Sequence, residues 1–281
     1  MSFYISLSGL KAAQADLSTI SNNVANVNST AFKKSEAQFG DIFAAAPMQT
    51  TNQVAGQGVR VQGITQQFTQ GTIESTDKTL DLAITGEGYF TVKGEDGSIS
   101  YTRNGAFSVD DNRYAVDTTG SRIQVFAVNP DTGALSTAPT STTTPSNLTD
   151  LNIPTTYKGQ VGGAQLTSVG VSKTGLVSAI YADGATAYLG QVAMASFNSQ
   201  EGLRQEGNAH WSSTVSSGSA MFGTANTGMF GAVNSGSLER SNVDITDELV
   251  ALISAQRNFQ ANSKAIEAAN TLTTTIVNIR S

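Results

Sequence analysis

Apolar positions recur at two rhythms along this chain, every three or four residues towards both ends and every second residue in between. Near the C-terminus Ile245, Leu249, Leu252, Gln256, Phe259, Ser263 and Ile266 follow one another at spacings of four and three. This lines them up on one stripe of a helix at roughly 3.5 residues per turn. Beyond Ile266 the phase slips to Ala269, Leu272, Ile276 and Ile279. No Gly or Pro interrupts the run from Val243 to Arg280, so one helix on the order of 55 Å long is predicted. Ser241, Asn242 and Asp244 are its candidate N-caps, and Asp247 and Glu248 place negative charge in the first turn. Gln256 and Ser263 hold seam positions where Leu or Ile would stabilise most, so the helix is expected to gain order from several neighbours. Towards the N-terminus Leu10, Ala13, Leu17, Ile20, Val24 and Val27 repeat the spacing, with Gln14, Asp16, Ser18, Asn22 and Asn26 on the opposite face. Two arrangements are open: the helices pair within one small bundle, or they pair with each other and also with copies of themselves. A two-helix hairpin leaves about half of each apolar stripe uncovered.

Between the two stripes the period changes to two. Val59–Val61, Ile64–Phe68, Leu80–Ile84, Tyr89–Val92, Ser100–Arg103, Ala106–Val109, Tyr114–Val116 and Ile123–Phe126 read as short strands. The turn signals Gly94–Gly97, Asn104-Gly105, Asp110–Asn112 and Thr119-Gly120 separate them. Strands resume at Leu166–Val171, Leu176–Tyr181 and Tyr188–Phe197. The expected fold class is therefore α+β, with paired N- and C-terminal helices as a coiled-coil-like domain and an antiparallel β-rich domain beside it. Residues 1–43 with 240–281 would form the helical domain, 44–58 an extended linker arm, and 59–239 the β-domain. Residues 129–163, rich in Thr, Ser and Pro, are expected to be a surface excursion with short strands at most.

Composition narrows the function by exclusion. Only 14% of the 281 residues are charged, the formal net charge is -6, and no basic run occurs, which argues against nucleic acid and anionic lipid as partners. There is no cysteine, hence no disulfide, thiolate metal site or thiol nucleophile. Neither a signal-peptide pattern nor an apolar run of transmembrane length is present, so a cytoplasmic location is expected unless the chain leaves the cell with its N-terminus intact. His210 is the sole histidine. Beside Trp211, in a Ser- and Gly-rich stretch, it is expected to be a packed or solvated residue rather than a catalytic base. Asp110-Asp111-Asn112 lacks the Gly and third ligand of a calcium loop, and Gly86-Glu87-Gly88 lacks the third Gly of a dinucleotide fingerprint. No catalytic residue, metal, cofactor or small-molecule substrate is expected.

Several stretches, taken together, resemble the axial proteins of the bacterial flagellum, the rod and hook group. Asn22, Asn23, Val24, Ala25 and Asn26, followed by Ala31, Phe32 and Lys33, are similar to the N-terminal signature of that group. So are Leu80–Ile84 with Gly86, Gly88 and Phe90, and Tyr101–Gly105 with Phe107. At the C-terminus Ser241, Asn242, Val243 and Asp244, then Glu248, Leu249 and Ile253, then Ala255, Gln256, Arg257 and Phe259, then Ala261–Lys264 with Asn262, agree. Ala31 departs from the pattern, which usually has Gly there. Within the group Phe39–Phe43, Gly58–Gly71, Leu189–Gln191 and Ile276–Arg280 are most similar to hooks. Residues 129–163 are too few for the outer domain of typical hooks, and the long 44–58 segment is similar to distal rods. The resemblance implies a structural subunit of a tubular homopolymer with helices lining a central channel. It also implies a hook that transmits torque, or alternatively a distal rod. The implied partners are copies of itself, neighbouring rod and hook-filament junction proteins, the hook cap and the flagellar export apparatus. The implied assembly residues are the seam positions Leu10, Leu17, Ile20, Val24, Val27, Ile245, Leu249, Leu252, Phe259 and Ile266.

Overall fold

A computed structural model describes residues 2–42, 56–137, 139, 147–160 and 162–279. The chain is α+β and divides into two compact units, one formed by residues 1–28, 33–67 and 243–281, the other by 29–32 and 68–242.

The first unit holds helix α1 (Ser2–Ala25), strand β1 (Ser35–Asp41), strand β2 (Val59–Gln66) and helix α2 (Ile245–Ile279). Of the three candidate caps for α2, Asp244 does the work: its Oδ1 accepts the N–H groups of Thr246 (2.7 Å) and Asp247 (3.4 Å). Those hydrogen bonds hold its carboxyl below the usual aspartate range. The helices run antiparallel, because Asn23 meets Glu248 at one end and Gly9 lies against Asn262 the same fourteen residues further along each helix. A Cβ on Gly9 would stand 2.6 Å from Asn262 Oδ1, so a side chain here would have to displace Asn262. At that register α2 overhangs the first turn of α1 by most of its last three turns. No described helix is long and apolar enough to cross a membrane.

Three boundaries differ from expectation. First, α1 stops at Ala25, where Asn26 Nδ2 turns back onto the Asn22 carbonyl (3.0 Å), so Val27 lies beyond the helical seam. Second, β2 pairs along its length with β1, with a bulge between Gln38 and Phe39. Residues 59–67 therefore group with the helices, and the unit boundary falls after Gln67 rather than at 59. Of the expected 44–58 arm, 44–55 lie outside the described residues; next to it, Ile42 and Gln57 close the ribbon by backbone hydrogen bonds. Third, 129–163 is more than surface. Leu151 and Ile153 are 2% and 0% exposed, Leu148 is buried, and the Leu151 and Ile153 N–H groups donate to the Ile123 and Arg113 carbonyls. Three apolar side chains spaced among Asn, Thr and Asp suffice to lay that stretch along the sheet, although its composition reads as loop.

The second unit is antiparallel β throughout its described strands. Its main sheet runs in the spatial order Leu166–Val171, Leu176–Tyr181, Thr186–Ser196, Arg122–Phe126, Tyr89–Lys93, Ile99–Thr102, His210–Ser212, Arg204–Gly207. Because successive side chains of a strand point to opposite faces, one strand feeds two cores. Phe90, Val92, Val192 and Met194 enter an aliphatic cluster with Ile123 and Ile153, whereas Tyr89, Ala193 and Ala195 enter an aromatic one with Tyr101, Phe197 and Trp211. The aromatic rings meet edge-on, Tyr101–Phe197 at 4.8 Å and Tyr89–Trp211 at 5.8 Å between centroids. Gly105, expected in a hairpin turn, is pressed onto the Leu82 backbone, where a Cβ would lie 1.7 Å from the carbonyl oxygen. Ala31, where the resembling group has Gly, adopts φ 56°, fully buried, its N–H donating to the Glu239 carbonyl (2.8 Å). A left-handed alanine costs about 1 kcal/mol, which the surrounding packing offsets.

His210 is packed rather than solvated. Nδ1 stands 2.9 Å from the Asn208 carbonyl oxygen and Nε2 2.6 Å from Asp117 Oδ2. Both neighbours are acceptors, so both ring nitrogens carry hydrogen and the ring is the imidazolium of a buried ion pair. Burial opposes its charge, but the hydrogen bond and charge of Asp117 outweigh that and raise its pKa above 6.5. Asp117 is likewise penalised by burial, yet hydrogen bonds from His210 and Thr119 bring its pKa below the usual aspartate value. No ring nitrogen is left to activate a hydroxyl. Because the histidine pKa is raised, its contribution to stability is complete below about pH 6.5 and is lost as pH rises through the folded value. The aspartate contribution is complete above about pH 4 and is lost as pH falls through its depressed value. Thermal melts from pH 5 to 9 should show stability falling on the alkaline side for the parent. His210→Gln should remove that slope, and Asp117→Asn should cost about 3 kcal/mol at pH 6.

Candidate assembly interface

The seam between α1 and α2 is one residue out of register with the expected stripe. Along α2 the covered positions are Glu248, Leu252, Ala255, Phe259, Asn262, Ile266 and Ala269, again at spacings of four and three. Leu252, Phe259 and Ile266 belong to both series, whereas Ile245, Leu249, Gln256 and Ser263 turn outward. On α1, Ala12, Ala13, Thr19, Ile20 and Asn23 are buried, while Leu10, Leu17 and Val24 are only half-buried. This side of α1 is lined by small residues, Gly9, Ala12 and Ala13, and the Asn262 side chain of α2 lies directly against Gly9.

Asn23 is the hub at one end of this seam. Its Nδ2 donates to the Ser35 carbonyl (2.8 Å) and to Glu248 Oε2 (3.1 Å), and its Oδ1 accepts the Ser35 N–H (2.9 Å). The side-chain amide thus mimics a strand neighbour for the start of β1 while reaching across to α2. Glu248, 2% exposed, completes the knot with an ion pair to Lys34 Nζ at 2.6 Å. Beside it opens a groove of about 430 Å³ walled by α1, β1 and α2. Asp16 faces that groove with no hydrogen-bond donor or cation among the described residues. Burial, then the charges of Glu248 and Glu36, push its carboxyl above the usual aspartate range.

The remaining expected positions scatter. Asn22, Ala25, Gln256 and Arg257 are exposed, Phe32, Asn242 and Asn26 are half-buried, and Lys33 is buried. Asn242 Nδ2 donates to Thr69 Oγ1 at 2.8 Å. Sequence reasoning did not single out Lys34 or Ser35, placed Asp16 only on the polar face of α1, and named Glu248 as a first-turn acid and a motif residue but not as a buried partner. The one signal was a carboxylate, Glu248, at a seam spacing, which the first-turn preference for acids also explained. Among the described residues no three His, Asp or Glu side chains come together to hold a metal ion.

Three domain families match the chain in order. Residues 3–33 match "Flagella basal body rod protein", 83–179 match "Flagellar hook protein FlgE/F/G D1 domain", and 234–279 match "Flagellar basal body rod FlgEFG protein C-terminal". The flagellar basal-body rod protein FlgG of Bacillus subtilis is 35% identical over 99% of this chain and 98% of its own. This chain belongs to the flagellar hook and rod family. The flagellar hook protein FlgE of Escherichia coli is 29% identical with all of both chains aligned, and FlgG of Buchnera aphidicola (Acyrthosiphon pisum) is 32% identical over 96% of this chain and 95% of its own. Members so named are structural proteins of the flagellum, not enzymes. The hub residues of this hook and rod family chain lie inside two of the matched segments, Asn23 in the first and Glu248 in the last.

Two substitutions separate the roles of the carboxylates. Glu248→Ala removes the acceptor that Asn23 and Lys34 share and should lower stability by about 2 kcal/mol in denaturant melts followed by helical circular dichroism. Asp16→Asn should do the reverse. A carboxyl with a raised pKa destabilises the fold as pH rises through that value, so the gain should be largest at neutral pH and vanish as pH falls towards 4.

Proposed function

We propose that this chain is a structural subunit of the flagellar hook, one that self-assembles into a tube transmitting torque from rod to filament and leaves a central export channel. The supporting observation is how α2 divides its apolar residues. Its seam to α1 is built largely of small and polar contacts, while Ile245, Leu249, Val250 and Ile253 are left 44–62% exposed. An apolar row of this length on a helix is removed from water only by a neighbour. Contacts between small and polar side chains permit slight sliding, where interlocked Leu side chains fix one register. A joint that bends while it rotates needs such replaceable contacts. In this reading its neighbours are rod and hook-filament junction proteins and the hook cap, and the chain reaches them through the flagellar export apparatus.

A distal rod subunit is the second reading, and one observation favours it. The alignment with E. coli FlgE spans 410 positions against 281 residues here, so at least 129 positions face a gap, whereas that with B. subtilis FlgG spans only 290. Image reconstruction of the native polymer separates the two, since a joint is curved and a drive shaft straight. Leu249→Asp combined with Val250→Asp should abolish polymerisation while moving the melting temperature little, because both side chains already face water in the lone subunit. Polymers formed normally by that variant would refute assembly through α2.

A further inference from the structure

The faces of α2 that α1 leaves open are unlike each other. On one, Ile245, Leu249 and Ile253 recur every four residues and Arg257 continues the row, all four exposed. On the other, Ala251, Ser254 and Asn258, beside the buried seam residue Ala255, form a wall of the groove whose far side carries Asp16 and Glu36. At 100° per residue the row and the groove wall are separated by roughly 150° around the helix, so one copy presents both at once. The groove wall is made of small side chains, which leave room for branched apolar ones. Its charge is uncompensated: Lys34 is committed to Glu248, and Asp16 has no cationic partner. Arg257 has no acceptor among the described residues, and it stands one turn beyond Ile253 at the end of the apolar row.

Resting on the polymer-subunit reading, we propose that the Ile245–Leu249–Ile253 row of one copy seats in the groove between α1, β1 and α2 of the next copy, with the entering Arg257 guanidinium against Asp16 and Glu36. Row and groove are different surfaces, so the contact is heterologous. Each added copy leaves one row and one groove free, and growth stays open-ended instead of stopping at a dimer. Asp16, a liability in the lone subunit, then becomes the group that recognises the neighbour.

The chain has no native cysteine, which gives a clean test. Asp16→Cys and Arg257→Cys are placed in separate full-length chains, one carrying a size tag, mixed, polymerised and treated with a short bis-maleimide. A tagged-to-untagged crosslinked dimer is expected, and its absence from formed polymer overturns the proposal. Independently, Arg257→Glu and Asp16→Lys should each raise the concentration needed for polymerisation by at least about 30-fold, and the two together should restore it to within about threefold. Single variants that polymerise like the parent, or a double variant that recovers nothing, overturn the groove contact and leave the polymer reading standing. A parent chain that forms no polymer at any concentration removes both.

Discussion

A single carboxylate taken out of water organises the helical unit. Glu248 lies where a seam residue of α2 would ordinarily be apolar, and isolated burial of its charge would cost several kcal/mol. Its two oxygens are met by the Lys34 ammonium and the Asn23 amide, and only one alignment of α1, β1 and α2 brings those donors together. Small side chains along the seam hold the register only loosely; a buried acid with two assigned partners fixes it within the subunit, so any sliding falls between copies. The antiparallel register, the tether of β1 to the end of α1, and the groove beside them all follow from satisfying that one group.

The β-unit rests on a different principle. Its long strand Thr186–Ser196 buries side chains on both faces, so aliphatic and aromatic clusters share a wall and neither needs a partner outside the unit. The helical unit has no such surplus. A thin seam and an outward apolar row leave it with apolar surface uncovered, in keeping with the assembly role proposed for it, while the β-unit can carry its own stability. Division of labour between a self-sufficient unit and an unfinished one suits a protein that is built into a polymer. It also explains why no catalytic constellation is needed. The one His–Asp pair has both ring nitrogens engaged and serves as a cross-tie between the His210–Ser212 strand and the Asp117–Ser121 turn.

Much was legible in the sequence because periodicity is a local property. Helices at both ends, short strands between them, the Asp244 start of α2, the absence of thiol chemistry and the family motifs are all carried by residues close together in the chain. The errors arose where composition masked pattern. Leu148, Leu151 and Ile153 are three apolar residues in a stretch of Thr, Ser, Asn and Pro, and β2 reads like any other strand although its partner is β1.

The sequence by itself determined that two amphipathic helices flank a β-rich middle and that they leave apolar surface over. Only the tertiary structure decided which stripe of each helix faces its partner. Two candidate stripes on α2 share Leu252, Phe259 and Ile266, differ by one residue elsewhere, and are similarly apolar, so helical period alone cannot choose. Gly9 admitting Asn262, and Asn23 with Lys34 closing on Glu248, make the choice. Burial is a relation between distant segments, and these contacts join residues more than two hundred positions apart.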